Sequence, residues 1–394
     1  MNYTHKALAL IFVAITTFFD IASSPIINSK PLLAVVIMVK NEEQVMLPTL
    51  QTYLDAGVDH FLILDTGSTD NTVAVTKQIF IDYGVQHGYV EEQPFIDFST
   101  SRNHAIALAE EKFPDVTFFL MIDAEWYLQN MNDFMEFCRD HVDDPETVFL
   151  IKLRAGGSQN DTARLFRPHR GIQFVGAVHE CLNRVGFVQL PQDIHFVWSP
   201  TRTGTEKTQA RWYRDRDVLL KEYQKNPNDP RTTFYLAQTY ACLGDWDNAA
   251  SWYFIRCQQP GWDQENYMAH YKLANAYEQL QNWPKALWFY LKAYSMRPKR
   301  AEPLVRIAQH YLAEQDFASA FLFANQAVRI PELETESLFF DKIMYEYMRY
   351  DVLGIAAWYV GEYEIGEEAV RKAMEYWPDA KHLRFNLSLY LGRQ

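Results

Sequence analysis

LAVVIMVKNEEQVMLPTLQTYLDAGVDHFLILDTGSTD, residues 33–70, is the stretch that decides the fold. Leu33 to Val39 and Asp59 to Leu64 are continuous apolar runs rich in β-branched residues, and Glu43 to Ala56 between them carries amphipathic helical spacing. That order predicts a β-α-β unit. Runs apolar on both faces suit buried parallel strands, and open parallel sheets bind ligands in the crevice beyond their strand carboxyl ends. Lys40-Asn41-Glu42 and Asp65-Thr66-Gly67-Ser68 stand at those two ends. Neither GxGxxG nor GxxxxGK[ST] occurs there, so neither a dinucleotide fingerprint nor a P-loop accounts for the crevice.

Working outward, residues 31 to about 200 alternate strand-like and helix-like patterns. Further strands are expected at Thr117–Ile122, Val148–Leu153 and around Ile194–Trp198, an extended piece at Glu92–Phe98, and a helix at Ser101–Lys112. From Glu206 the pattern becomes helical, with Gln209–Gln224 as an amphipathic connector broken by Asn226-Pro227-Asn228-Asp229-Pro230. Beyond it the chain repeats itself: Leu236, Ala237, Tyr240, Gly244, Ala249 and Tyr253 recur as Leu273, Ala274, Tyr277, Gln281, Ala286 and Tyr290. A third unit carries Ile307, Ala308, Tyr311, Ala320 and Ala327, and a fourth Leu353, Gly354, Gly361, Ala373 and Pro378. This small-residue and aromatic pattern is that of tetratricopeptide helix pairs. The longer spacing between the third and fourth units predicts an insertion near Pro331–Tyr347, and His382–Leu391 reads as an end cap.

A chain of 394 residues exceeds one hydrophobic core, and a net charge of −13 argues against a broad nucleic-acid surface. An anionic ligand must therefore be met by local arginines or a metal. Residues 1–24, with a basic start, an apolar run from Ala7 to Phe19 and small residues after it, read as a signal peptide or signal anchor. This predicts a secretory-lumen or exported protein, with a cytosolic or membrane-anchored one as the alternative. Cys138, Cys181, Cys242 and Cys257 show no metal-binding spacing; Cys242 and Cys257 fall on the two helices of one repeat and could pair or stay free.

The ordered set KNEE (40–43), DTGSTDNT (65–72), SRN (101–103), MIDAEW (121–126), RLFR (164–167), FVGAVHE (174–180) and His195 after Asp193-Ile194 resembles the inverting family 2 glycosyltransferases of the GT-A fold. The resemblance implies a mixed, mostly parallel α/β nucleotide-sugar-binding domain over 31–205. A helical connector (206–229) and an all-α tetratricopeptide-like region with a cap helix (230–394) follow. It implies a nucleoside-diphosphate sugar donor, a UDP-sugar, and a protein, peptide or glycan acceptor. The superhelix would offer a concave surface for a protein partner.

Residue by residue, the resemblance makes Asp65 the nucleobase aspartate, with Asn41, Glu42, Gly67, Ser68 and Asp70 lining or shaping its pocket; DTGSTDN is equally a run of turn formers. Arg102 and Asn103, at a helix start, reach the base or a phosphate. Arg164 and Arg167 are phosphate candidates because a planar guanidinium suits bidentate contact, against ordinary surface charge. Asp123 and Glu125, two apart at a strand end, suit Mn²⁺ or Mg²⁺ bridging a diphosphate, where the family more often carries Asp at the second place. His195 is expected to complete the metal shell, with His179 as competitor, though a lone His beside an apolar run is more often simply a satisfied side chain. Glu180 is the candidate general base, with Asp193 as substitute; a helix-terminal acid is the plainer reading. The alternative for the whole protein is a catalytically degenerate domain in a tetratricopeptide interaction scaffold.

Overall fold

The computed structural model describes residues 30–156, 158–184, 187–199, 202–331 and 338–393, and for residues 158 and 202–209 the backbone alone. The expected leader lies outside the described residues. Among them, no helix is long and apolar enough to cross a membrane.

The first half is an α/β layer structure in the order β1 Leu33–Val39, α1 Met46–Asp55, β2 His60–Asp65, α2 Thr72–Asp82, β3 His87–Glu92, α3 Phe98–Lys112, β4 Phe118–Ile122, β5 Trp126–Gln129, α4 Met131–Asp140, β6 Val148–Ala155 and β7 Ser158–Phe166. Short strands follow: β8 Phe174–Val175, β9 Cys181–Leu182, β10 Val188–Gln189 and β11 His195–Trp198. The main sheet runs β3-β2-β1-β4-β7-β6-β11-β5. Its β3-β2-β1-β4 half is parallel, and β7 turns it antiparallel. The parallel half follows from the sequence because β1 and β2 are apolar on both faces: Val35, Ile37, Phe61 and Ile63 enter one core while Ala34, Val36, Leu62 and Leu64 enter the other. Each of the Val, Leu, Ile and Phe side chains, fully buried, contributes about 1.5–3 kcal/mol.

The expected β-α-β unit is present, and the expected strands at 117–122, 148–153 and 194–198 appear within one to two residues of their ends. The extended piece expected at Glu92–Phe98 is instead the end of β3 and a coil. The helix after it starts at Phe98, because the Asp97 side chain caps it by accepting from Thr100 N at 2.7 Å.

The helical half comprises α5 Arg202–Lys225, α6 Pro230–Cys242, α7 Trp246–Cys257, α8 Asp263–Gln279, α9 Trp283–Met296, α10 Glu302–Ala313 and α11 Phe317–Val328. A two-residue strand β12 Phe340–Asp341 and a π-helical turn Met344–Met348 intervene before α12 Arg349–Val360, α13 Tyr363–Tyr376 and α14 Lys381–Leu391. These are antiparallel helix pairs, the tetratricopeptide-like arrangement the sequence predicts. Each pair turns through a left-handed residue at the same place: Gly244, Gln281, Gln315 and Gly361. The second helix is then capped in the first three pairs by Asp245, Asn282 and Asp316, which accept a backbone N–H three residues on. Cys242 and Cys257 are free, the first exposed and the second partly buried.

Candidate functional site

Beyond the carboxyl ends of β1, β2 and β3 lies an open cleft of about 520 Å³ lined by Lys40, Asp65, Thr66, Gly67, Ser68, Glu92, Gln93, Pro94 and Phe95. Its floor is a knot of two loops. Asn41 N donates to Ser68 Oγ at 2.8 Å, Glu42 N to Thr72 Oγ1 at 2.7 Å, and Thr69 N to Asn41 Oδ1 at 2.6 Å. Asp70 accepts from Thr72 N (3.0 Å), Thr72 Oγ1 (2.5 Å) and Glu43 N (3.3 Å). Burial works against its charge, and these hydrogen bonds outweigh that and hold its carboxyl below the usual range. Asn41 takes φ of 56°, which Asn tolerates better than most residues. Asn41, Ser68 and Asp70 thus shape the cleft by holding one loop to the other.

Asp65 differs from them. Its Oδ1 accepts from Gly67 N and Ser68 N, both at 2.9 Å, so half of the carboxylate closes the turn. Its Oδ2 is buried and has no hydrogen-bond partner among the described residues, although the residue itself is only 2% exposed. A buried acceptor left unmade costs about 1–3 kcal/mol, so this oxygen is poised to receive an N–H from a ligand in the cleft. Phe95, 39% exposed and edge-on to Phe98, offers an apolar ring at the same mouth. Nothing in the sequence pattern marked Phe95, because it stands in a coil without periodicity.

Next to the cleft, at the end of β4, four charged side chains meet. Arg102 from α3 donates through Nε to Glu180 Oε1 at 2.6 Å and through Nη2 to Asp123 Oδ1 at 2.5 Å. Arg164 from β7 donates through Nη2 to Asp123 Oδ2 at 3.2 Å and lies 3.8 Å from Glu180. Burial raises the cost of the Asp123 charge, and Arg102 and Arg164 outweigh it and hold that carboxyl below its ordinary value. Both arginines keep a buried Nη1 that no described residue accepts from. Trp126 and Phe174 sit over Arg164, at 5.0 and 5.3 Å. Two fixed guanidinium groups are thus paired with two carboxylates, and each keeps one buried donor unmatched among the described residues.

Residues 34–202 match the family model of glycosyl transferase family 2. The helical half resembles tetratricopeptide repeat proteins. A TPR repeat-containing protein of Synechococcus elongatus is 28% identical over 151 residues, covering 37% of this chain. The chain spans only 34% of the length of that relative. Among solved structures, MamA is similar with a TM-score of 0.36 at 16% identity, covering 45% of this chain and 95% of its own. The C-terminal part of a TPR protein from Cytophaga hutchinsonii gives 0.38 at 15% identity, covering 47% and 66%. YrrB, described as a TPR protein with an unusual peptide-binding site, gives 0.36 at 14%, covering 45% and 84%.

Within the α/β half, several expected site residues stand elsewhere or are already engaged. Asn103 is a structural residue: its amide donates to Phe174 O at 2.8 Å and accepts from Phe174 N at 2.7 Å, fastening the β8–β9 hairpin to α3. Arg167 donates to the backbone oxygens of Glu146 and His141 and lies over Phe118, so it serves the far end of the sheet.

Asp193 is exposed beside His195, and its backbone oxygen accepts from the Asn130 amide. His195 pairs with Gln129 on β5, while Trp198 pairs with Trp126 next to Glu125. That offset of three rungs sets His195 roughly 10 Å along the strand from Trp126, the residue after Glu125. Both of its ring nitrogens are engaged, Nδ1 with Asp193 O at 2.8 Å and Nε2 with Arg154 at 3.1 Å. Burial and then Arg154 lower its pKa, outweighing the pull of Asp193.

His179 stacks on Tyr235 of α6 with ring centroids 4.0 Å apart, and burial pushes its pKa down to about 4. Glu125 is 7% exposed with φ of 66°, its N–H on Thr49 Oγ1 at 3.2 Å. Of the expected metal residues Asp123, Glu125, His195 and His179, both Asp123 oxygens serve arginines and both ring nitrogens of His195 are engaged. Among the described residues no three of His, Cys, Asp or Glu are grouped to hold a metal ion.

Proposed function

We propose that this protein is a glycosyltransferase that binds a UDP-sugar in the Asp65 cleft and transfers the sugar, with inversion, to a protein, peptide or glycan acceptor. The observation that carries the reading is the divided Asp65 carboxylate. One oxygen builds the turn and the other waits, buried, for a single donor, which the imino N–H of a uracil supplies. Phe95 borders the same opening and suits a stacked base. From there the diphosphate extends toward Arg102 and Arg164, whose unspent Nη1 groups offset the charge that grows on the leaving UDP.

Inversion requires one displacement and one group to take the acceptor proton. Glu180 is the second carboxylate of the arginine cluster, but its pairing with Arg102 suits it to orienting that cation as much as to accepting a proton. A divalent cation would have to recruit Asp123 away from its arginines, so no step here is assigned to one.

Calorimetric titration of residues 25–394 with UDP, GDP and UDP-sugars, in Mn²⁺ and then in EDTA, tests this. UDP binding above GDP supports the base assignment, and the two ionic conditions decide metal dependence. No binding of any nucleotide to folded protein overturns the reading in favour of a degenerate scaffold.

A further inference from the structure

The described part of the insertion between the third and fourth helix pairs, from Leu338 on, packs against the helical region. Leu338 to Asp341 crosses the first helices of three successive pairs, α6, α8 and α10, which is the face a repeat superhelix uses for extended ligands. Its backbone is read at two points: Leu338 N donates to Gln264 Oε1 at 3.1 Å, and Phe339 O accepts from Arg300 Nη2 at 3.2 Å. Its rings are read as well. Phe339 stacks with Phe234 of α6 at 6.3 Å, and Phe340, fully buried, lies 4.5 Å from Tyr345 and beneath Arg300 at 5.5 Å. Arg300 is itself fixed by Glu302 at 2.7 Å and lies over Tyr267 at 4.7 Å. Asp341, partly buried, feels the charges of Lys272 and Arg306 from α8 and α10, and those of Glu302 and Arg300.

Two further facts separate this segment from an ordinary connector. Phe339 has φ of 47°, a left-handed conformation that a bulky aromatic residue adopts only when its surroundings impose it. Phe340 and Asp341 then pair antiparallel with Gln159 and Ser158 of β7, adding an edge strand to the transferase sheet. The strand so extended is the one that carries Arg164. Backbone contacts, alternate side-chain pockets and strand addition are the elements by which domains recognise extended peptides.

We propose that Leu338–Asp341 is a built-in ligand of the helical region. The groove across α6, α8 and α10 is a binding site for an extended aromatic-acidic segment, Leu-Phe-Phe-Asp in this chain, and its occupancy holds β7 and Arg164 in register. A peptide acceptor therefore does not dock in this part of the groove, and an outside segment of the same chemistry enters only by displacing the resident one. The consequence for Arg164 rests on the donor reading above, whereas the occupancy of the groove does not.

The test uses the full chain, the variant F339S/F340S, and a labelled peptide of residues 338–347. A groove that is mostly closed lowers apparent affinity by the fraction of time it is open. The peptide is accordingly expected to bind the variant saturably and at least about tenfold more tightly than the unchanged chain. UDP affinity should fall at least about threefold in the variant and return when the peptide is saturating. Should the double variant fail to fold, hydrogen exchange on the unchanged chain replaces it: excess peptide should raise exchange at the amides of Phe340 and Gln159. Equal peptide binding to both chains, binding to neither, or exchange unmoved by excess peptide overturns the proposal. Failure of the unchanged chain to bind UDP overturns the donor reading instead and leaves the peptide arm to decide.

Discussion

Replacing Arg102 by methionine keeps much of the side chain's length and removes the cation on which the buried cluster depends. Arg102 is 4% exposed and serves Glu180 at 2.6 Å and Asp123 at 2.5 Å, carboxylates whose side chains are 8% and 28% exposed. Removing one partner of a buried pair costs about 3–5 kcal/mol, because the remaining charge stays out of water. Here Arg164 still faces Asp123 at 3.2 Å and Glu180 at 3.8 Å, which brings the expected loss to the lower end, about 3 kcal/mol. Against a typical total of about 5–15 kcal/mol that is a large share.

The pH dependence identifies the cause. Asp123 has a carboxyl held low in the folded state, so its stabilisation is present above the unfolded value near 3.9 and is lost as pH falls through the lower folded value. In the variant that stabilisation is largely absent. The deficit should therefore be full at pH 7 and shrink as the stranded Asp123 carboxylate protonates toward about pH 4. Urea unfolding followed by tryptophan fluorescence and by circular dichroism at both pH values measures it. A deficit below about 1 kcal/mol, or one that does not change with pH, would refute the reasoning. Adding Glu180→Gln to the Arg102→Met background should recover part of the loss, since it removes a charge left unpaired.

Asp65→Asn keeps an Oδ1 for Gly67 N and Ser68 N and places an amide donor where Oδ2 stood, so UDP affinity should drop about 10–100-fold with the melting temperature nearly unchanged; calorimetry and a thermal scan check both. Gly366→Ala should destabilise by about 1–3 kcal/mol despite alanine's better helix propensity, because its Cβ would lie 2.0 Å from Tyr390 Oη. Urea titration reads the loss, and a stabilised variant would mean that Tyr390 has room to move. His179 has its pKa pushed down to about 4, so its contribution is complete above about 6.5 and is lost as pH falls toward 4. His179→Asn should flatten the stability slope in that window, and an unchanged slope would place the titration elsewhere.

Much of this arrangement was legible in the chain. Strands apolar on both faces have few ways to be buried, so β1 and β2 announced a parallel sheet and a crevice at Asp65. The repeat was legible because close helix packing demands small residues at fixed places: Ala249, Ala286 and Ala320 are all buried second-helix positions. The fourth pair carries Gly366 at the equivalent place, and only the structure gives the reason. Tyr390 of the cap helix enters there and donates to Gly354 O at 2.6 Å. The motif order singled out Arg102, Asp123, Arg164 and Glu180 as candidate site residues, but could not say that they would meet and neutralise one another.

The sequence by itself determined the element types, the division into an α/β half and helical pairs, and the acidic turn at the sheet's edge, since these follow from local periodicity and turn chemistry. Tertiary structure alone decided which charges are spent. Strand register set His195 three rungs from Trp126, the residue after Glu125, a hairpin fastening took Asn103, and two arginines from distant elements closed on Asp123. It also brought residues 338–341 back across three helices to β7, because long-range pairing depends on the placement of whole elements, which no local pattern of side chains records.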